Sequence, residues 1–193
     1  MTQEETIEVS ELMTKHEIPC DTVWLDIEYT EEKKYFTWDH KTFPEAKKML
    51  ETLVEQGRKL ITIIDPHVKK DDGYFLFNEI IDKKLYVMEP SGESPYFGWC
   101  WPRTSLWIDF MNPEARELIS SLYVKRPAIM DEGQLVDNYI FSNPNVHIWN
   151  DMNEPACFDP FEKSMAKANL HTFSRDLTVE HRDVHNLYGY YNT

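Results

Sequence analysis

Three apolar runs rich in β-branched and aromatic residues recur along the chain, and helical patterns separate them. They are residues 21–28 (DTVWLDIE), 59–67 (KLITIIDPH) and 146–155 (VHIWNDMNEP). Short runs of this composition, bounded by polar residues, predict β-strands. The second run is almost continuously apolar, which is typical of a strand buried on both faces of a sheet. We therefore predict three strands, the third of which continues into a polar turn.

Apolar residues at helical spacing lie between these runs. Residues 43–57 show this spacing, with a proline in the first turn and a glycine at the end. Residues 112–123 begin with Asn and then Pro, which predicts an N-cap and a first helical position. Residues 5–17 predict a weaker helix. Residues 68–111 are less regular, and we expect a helix at 74–83 and then an aromatic loop with the sequence YFGWCWPRTSLW.

The alternation of strands and helices predicts an α/β fold with a parallel sheet, either open or closed into a barrel. Each predicted strand ends in side chains suited to chemistry, namely Asp26 and Glu28, Asp65 and His67, and Asp151 and Glu154. Because parallel strands end at the same edge of a sheet, we expect these side chains to converge. A single acidic residue after a strand is more often a helix cap or turn former, and an Asx-type turn at Asn150 and Asp151 is the alternative there.

The net charge and the cysteines exclude several classes of partner and site. The 193 residues include 34 acidic and 20 basic ones, so the formal net charge is −14. We therefore expect neither nucleic acid nor an anionic lipid surface as a partner. The aliphatic runs are far shorter than the roughly 20 apolar residues of a membrane span, and no secretory leader opens the sequence. The three widely spaced cysteines predict buried thiols and suggest neither a disulfide framework nor a zinc site.

The aromatic residues suggest a class of ligand. Six Trp, ten Tyr and ten Phe predict either a large aromatic core or a cleft that stacks flat ligands. An acidic cleft with aromatic walls suits sugars, because carboxylates accept hydrogen bonds from hydroxyl groups. Cleavage of a glycosidic bond needs two carboxyl groups, one that attacks or activates water and one that protonates the leaving oxygen. Glycine-rich phosphate-binding motifs and the GxSxG nucleophile motif do not occur in the sequence.

Six segments resemble, in order, successive blocks of glycoside hydrolase family 31. They are WLDIEYTEEKKYFTWD, KLITIIDPHVKKDDGY, GWCWP, DFMNPEAR, IWNDMNEPACF and EHRDVHNLYG, and the resemblance extends from about residue 16 to Gly189. It implies a (β/α)8 TIM barrel of which this chain holds about strands two to four, with parallel strands and crossover helices. It also implies that residues 1–193 are part of a larger catalytic barrel, without the N-terminal β-sandwich, the first strand and the later strands.

The resemblance implies a role for each matching residue. Asp151 matches the catalytic nucleophile, and Glu154 matches a residue that supports the geometry of the nucleophile. Asp26 matches the carboxylate that holds hydroxyl groups of the non-reducing glucose, and the residues that match the lining of that site are Ile63, Trp101, Met152 and Phe158. We expect Asp65 and His67 to lie behind that site, and direct contact with the sugar is the alternative. A metal site of Asp65, His67, Asp183 and His185 is the alternative, but these positions bind no metal in the family, and the resemblance implies no cofactor.

The implied activity is that of a retaining exo-α-glucosidase, which hydrolyses O-glycosidic bonds of α-linked glucose in carbohydrate metabolism or N-glycan trimming. The implied partners are an α-glucoside or oligosaccharide substrate and a regulatory β subunit, and the implied location is the endoplasmic reticulum. The general acid/base aspartate of the family lies on a later strand, so we expect this chain alone to be inactive. A non-catalytic remnant that binds carbohydrate or another subunit is the alternative.

Two segments depart from the family pattern. After GWCWP the family usually continues with small residues such as Gly-Ser, whereas here Arg103 and Thr104 follow. We expect the long arginine to intrude on the sugar site or to change the linkage preference. Residues 124–140 also differ from the spacing expected before the fourth strand.

Overall fold

The structure, a computed structural model, describes residues 1–124, 129–131, 134–136, 140–174 and 177–193. The strands are β1 (Thr22–Leu25), β2 (Lys59–Ile64), β3 (His67–Lys69), β4 (Phe97–Cys100), β5 (Arg103–Trp107), β6 (Ile129–Asp131), β7 (Gln134–Val136), β8 (Val146–Asn150), β9 (Leu170–Ser174) and β10 (Leu177–Glu180). The helices are α1 (Gln3–Lys15), α2 (Ala46–Glu55), α3 (Phe75–Lys83), α4 (Pro113–Leu122), α5 (His181–Val184) and α6 (Tyr188–Asn192). The chain divides into two compact units, the first of Met1–Ile64 with Leu122–Trp149 and the second of Asp65–Ser121 with Asn150–Thr193.

The main sheet of the first unit has the strand order β1-β2-β8. β1 is parallel to β2, with Thr22 opposite Lys59 and Leu25 opposite Thr62. On the other side of β2, the Leu60 amide donates to the carbonyl of residue 145, which directly precedes β8, over 3.0 Å. The three predicted strands are therefore neighbours in one sheet, and the predicted parallel direction is confirmed for β1 and β2.

The helices of the first unit follow the predicted patterns. α1 lies close to the predicted range 5–17, and α2 begins at Ala46 inside the predicted range 43–57. The buried face of α2 consists of side chains that are at most 1% exposed, namely Met49, Leu50 and Leu53. Gly57 follows α2 with a φ of +75°, a conformation that a residue with a side chain rarely adopts. The glycine stop signal is therefore explained by the backbone.

A buried arginine ties α1 to the start of β2. The guanidinium of Arg58 donates to the Ser10 hydroxyl at 2.6 Å, the Thr14 hydroxyl at 2.7 Å and the Gln56 side-chain oxygen at 2.9 Å. It also donates to the Cys20 carbonyl at 3.1 Å. Arg58 is 5% exposed and forms no ion pair with the described residues. Neutral acceptors therefore satisfy this buried charge.

The predicted strand over residues 59–67 divides between two sheets, so that prediction is wrong beyond the end of β2. Pro66 has no amide hydrogen with which to continue a ladder. Its carbonyl instead accepts a hydrogen bond from the Ile108 amide at 3.2 Å. His67 then begins β3, where it lies opposite Trp107 of β5.

The second unit contains an antiparallel sheet of order β3-β5-β4. β4 and β5 form a hairpin in which Cys100 lies opposite Arg103, so Trp101 and Pro102 make the turn. The expected aromatic loop is therefore wrong, since most of its residues are in strands. Glycine and proline interrupt the β-rich pattern and produce the appearance of a loop.

The other elements of the second unit are partly as predicted. α3 and α4 are confirmed, and the Asn112 side chain caps α4 by accepting from the Glu114 amide at 3.0 Å. The antiparallel hairpin of β9 and β10 and the short helices α5 and α6 were not predicted. The exposed β9–β10 pair has too few buried positions for a clear apolar alternation.

The unusual spacing noted in residues 124–140 lies largely outside the described residues. Within it the structure describes only the backbone of the antiparallel pair β6 and β7 and the residues at the two ends. No helix in the described part of the chain is long and apolar enough to cross a membrane.

Candidate active site

Asp26 and Ile63 lie in neighbouring parts of the first unit. The predicted strand over 21–28 stops before Asp26, because the Asp26 Oδ1 caps the next turn by accepting from the Ile27 amide at 2.6 Å. Capping is therefore the right interpretation for this oxygen, while the other carboxylate oxygen makes no hydrogen bond to the described residues. Ile63 is 4% exposed, and its carbonyl accepts from the Tyr29 hydroxyl at 2.9 Å. This bond fixes the turn after Asp26 to β2.

Asp151 is the first residue after β8 and is half-buried. Met152 follows with a φ of +61°, a left-handed conformation that is uncommon for a residue with a side chain, and its carbonyl accepts from the Ala156 amide at 3.0 Å. Neither Asn150 nor Asp151 bonds through its side chain to the backbone of this turn in the described structure, so the Asx-turn interpretation is wrong. Asn150 Nδ2 instead donates to the Asn192 carbonyl at 3.1 Å.

Glu154 lies at the end of the same turn and is exposed. It precedes Pro155 through a cis peptide bond, and it makes no hydrogen bond or ion pair to the described residues. The Pro155 carbonyl accepts from the Ser164 hydroxyl at 2.9 Å, which closes the loop behind Glu154. The predicted role of Glu154 in supporting Asp151 stays a prediction.

Trp101 and Phe158 form an aromatic pair at the tip of the β4–β5 hairpin. Their ring centroids are 5.0 Å apart in an edge-to-face arrangement, and Trp101 is 49% exposed. The Phe158 amide donates to the Trp99 carbonyl at 2.8 Å, so the segment after Asp151 is attached to the hairpin. The structure therefore brings together two of the predicted glucose-wall residues and leaves an open aromatic surface suited to stacking on a sugar.

Arg103 follows the hairpin turn with a φ of +79°. This left-handed conformation favours glycine, which explains physically why a small residue is usual at this position. The Arg103 side chain is exposed and makes no ion pair with the described residues. An exposed positive charge therefore lies two residues from Trp101.

Asp65 and His67 are buried in the second unit, with exposures of 3% and 0%. His67 Nε2 lies 3.6 Å from Asp65 Oδ2. Burial lowers the pKa of His67 to about 3. At neutral pH His67 is therefore uncharged. Neither side chain is exposed, and their place relative to the sugar site stays a prediction.

A chain of three histidines in the second unit, of which His171 and His181 are buried and His185 is half-buried, was missed in the sequence. His171 Nδ1 lies 2.7 Å from Asp109 Oδ1, His171 Nε2 lies 2.9 Å from His181 Nδ1, and His181 Nε2 lies 2.9 Å from His185 Nδ1. Burial, together with the neighbouring His171 and His185, lowers the pKa of His181 to about 3. The histidine-rich motif EHRDVHNLYG was visible, but Asp109 and His171 are contributed by distant segments.

The described residues contain no group of three or more His, Cys, Asp or Glu side chains that could hold a metal ion. The four residues of the metal alternative, Asp65, His67, Asp183 and His185, therefore do not form such a group. Cys100 and Cys157 are free and buried, as predicted, whereas Cys20 is only half-buried.

Comparison with known proteins identifies the protein family to which the chain belongs. The family described as "Glycosyl hydrolases family 31 TIM-barrel domain" matches residues 1–193. The chain belongs to this family, which confirms the predicted fold class of a partial (β/α)8 barrel.

Individual relatives are similar over nearly the whole chain. The probable glucan 1,3-alpha-glucosidase of Arabidopsis thaliana is 42% identical over 98% of this chain and 19% of its own length. The glucosidase 2 subunit alpha of Schizosaccharomyces pombe is 43% identical over 98% of this chain and 19% of its own length. A crystal structure of the glucosidase II alpha subunit in its DNJ-bound form has a TM-score of 0.86 and 43% identity, and the match covers 99% of this chain and 19% of that one. The chain therefore spans about a fifth of the length of these relatives.

Proposed function

We propose that this chain is the nucleophile-bearing part of a retaining exo-α-glucosidase that removes α-linked glucose from non-reducing ends. The observation that carries the proposal is the position of Asp151, directly after β8 and before a left-handed turn, in a chain similar to α-glucosidases. The proposal includes the expected organisation, in which residues 1–193 are part of a larger catalytic barrel. The name of the Arabidopsis relative supports α-1,3-linked glucose as the substrate.

In the proposed mechanism, a carboxylate oxygen of Asp151 attacks the anomeric carbon while the bond from that carbon to the leaving oxygen breaks. A β-linked glycosyl-enzyme forms, and water then hydrolyses it with net retention. The leaving oxygen takes its proton from a general acid that we assign to another part of the intact enzyme.

The other site residues bind the sugar in this proposal. Asp26 accepts hydrogen bonds from glucose hydroxyls through the oxygen that does not cap the turn. Trp101 and Phe158 stack on the apolar face of the ring, and Ile63 and Met152 complete its wall. Glu154 supports the turn that carries Asp151. No step requires a metal or an organic cofactor.

We also propose a regulatory subunit as a partner of the intact enzyme and the endoplasmic reticulum as its location. Support comes from a similar crystal structure, an ER glucosidase II heterodimer of catalytic subunit and binding domain of the regulatory subunit, with 43% identity and a TM-score of 0.86. That match covers 19% of the solved chain, so the subunit interface is a property of the neighbour and an expectation for this protein.

An activated glucosyl fluoride tests the proposal, because fluoride leaves without a proton and so does not need the general acid. With 5-fluoro-α-D-glucosyl fluoride, the carbon–fluorine bond at the anomeric centre breaks as the bond to Asp151 forms. The fluorine at C5 slows the later hydrolysis, and the labelled enzyme accumulates. We expect intact-mass and peptide mass spectrometry to find slow labelling at Asp151.

The control is Asp151→Asn, which keeps the size of the side chain and removes the nucleophile. Equal labelling of this variant, or labelling only at other carboxylates, would show that Asp151 is not the nucleophile. Saturable sugar binding without any label would instead favour the non-catalytic alternative, which the half-exposed Trp101 also suits.

A further inference from the structure

The last helix of the chain packs against the turn that carries Asp151. Asn192 Nδ2 donates to Asn150 Oδ1 at 2.9 Å and also to Asn153 Oδ1. In return, Asn150 Nδ2 donates to the Asn192 carbonyl at 3.1 Å. One side chain therefore bridges the residues on both sides of the segment formed by Asp151 and Met152.

Gly189 brings the backbone of α6 against the same turn. A Cβ atom at this position would lie 3.1 Å from the Asn153 carbonyl oxygen and 3.2 Å from the Asn153 Cβ. Both distances are shorter than ordinary van der Waals contacts, so a larger residue would push the turn away from the helix. The glycine is required here for close approach and not for an unusual φ.

The segment between the bridged residues adopts a conformation that needs support. Met152 has a φ of +61°, and such a conformation persists in a residue with a side chain only where its surroundings hold it. Asp151 makes no hydrogen bond of its own to the described residues. Its direction is therefore set by the backbone on either side, which Asn192 and Gly189 hold.

The helix that supplies these two residues is itself fixed. The Tyr188 hydroxyl donates to the Ile108 carbonyl at 2.7 Å, and Tyr188 is fully buried. Upstream, His181 is linked through His171 to the carboxylate of Asp109. The helix can therefore act as a rigid support rather than as a loose end.

We propose that Gly189 and Asn192 are positioning residues for Asp151, which hold its carboxylate in the direction needed for attack on the anomeric carbon. This inference rests on the proposed function of Asp151. Nucleophilic attack is sensitive to position, and a displacement of about 1 Å can slow a reaction by about 10²-fold.

The test measures labelling by 5-fluoro-α-D-glucosyl fluoride as a function of its concentration, in the full chain and in Gly189→Ala, Asn192→Ala and Asn192→Asp. The Asp variant keeps the shape of the side chain and removes the two donated hydrogen bonds. The matched controls are Gly73→Ala and Asn186→Ala, two exposed positions of the same unit. Thermal unfolding of each variant shows whether it is folded.

We expect the maximal labelling rate to fall about 10- to 100-fold in the three variants, with the half-saturating concentration changed by less than about twofold. The controls should label like the original chain. A merely structural role would change the unfolding temperature and leave the maximal rate of the folded protein unchanged.

The outcomes separate the two proposals. If the original chain labels at Asp151 and folded Asn192→Ala labels at the same maximal rate, the positioning role is refuted and the proposed function stands. If the original chain does not label at Asp151, the proposed function fails and the positioning role fails with it. Should Gly189→Ala not fold, the two Asn192 variants still decide the question, because that side chain is only half-buried.

Discussion

The stability of this protein should fall as the pH drops from 7 to 5, because two buried histidines resist protonation. Burial lowers the pKa of His181 to about 3, with His171 and His185 adding to the effect, whereas an unfolded histidine has a pKa of 6.5. Burial also lowers the pKa of His67 to about 3. Below pH 6.5 the unfolded chain therefore binds protons that the folded chain does not. The stability that depends on these uncharged histidines is complete above pH 6.5, the pKa in the unfolded chain. It is lost as the pH falls towards about 3, the pKa in the folded chain.

The magnitude follows from the distance between the working pH and the unfolded pKa. Each pH unit below 6.5 costs about 1.4 kcal/mol per histidine, so at pH 5 His181 alone lowers the free energy of unfolding by about 2 kcal/mol. His67, whose pKa burial also lowers to about 3, contributes up to a similar amount. For the two histidines together, we expect the free energy of unfolding to fall by about 2–4 kcal/mol between pH 7 and pH 5.

Urea unfolding at pH 5 to 8 measures this loss directly. In His181→Asn the free energy of unfolding should be lower at pH 8, and the difference from the original chain should shrink by about 2 kcal/mol on going to pH 5. The matched control is His147→Asn, because His147 is exposed on β8 and should leave the pH dependence unchanged. A difference between His181→Asn and the original chain that stays constant from pH 8 to pH 5 would refute the reasoning.

Two further predictions concern the rest of the molecule. Arg58→Ala removes the donor of four hydrogen bonds, of which the one to the buried Ser10 hydroxyl loses most when it is broken. It should lower the free energy of unfolding by about 2–4 kcal/mol in urea titrations, whereas exposed Arg182→Ala should change it by less than about 1 kcal/mol. A loss below about 1 kcal/mol for Arg58→Ala would contradict this. The chain alone should not turn over an aryl α-glucoside above the level of Asp151→Asn, since loss of a general acid costs about 10²–10⁴-fold, and clear turnover would mean that a carboxyl group of this chain, such as Glu28 or Asp183, donates the proton.

The parts of the fold that the sequence predicts are those with a strong local pattern. α2 has a proline before its first turn and a glycine after its end, and α4 begins with an asparagine followed by a proline. The three strands of the main sheet are short and mostly apolar. The strand break at Pro66 and the β4–β5 hairpin were missed for a common reason. After Pro66, the strand pairs with β5, which is remote in the sequence. In the β4–β5 hairpin, glycine and proline interrupt the strand pattern. In both places, tertiary hydrogen bonds therefore override the local sequence pattern.

The candidate site shows the same limit more sharply. Asp151 could be proposed as the nucleophile because its motif is local. Trp101 and Phe158, which pack against each other, lie in two motifs that the sequence shows separately. What holds Asp151 is not local, since Asn192 lies 42 residues beyond Asn150 and no spacing rule connects them.

A motif therefore names the reactive group but not the contacts that direct it. Asp151 has no hydrogen bond of its own to the described residues, so its orientation depends on the backbone beside it. That backbone includes a left-handed methionine, which the isolated turn would relax. Asn192 supports this backbone by donating a hydrogen bond to Asn150. Gly189 supports it because, without a Cβ atom, it lets the helix approach Asn153 closely. Because both act on the backbone beside Asp151, a substitution at either position should alter the reaction without changing any residue that contacts the sugar.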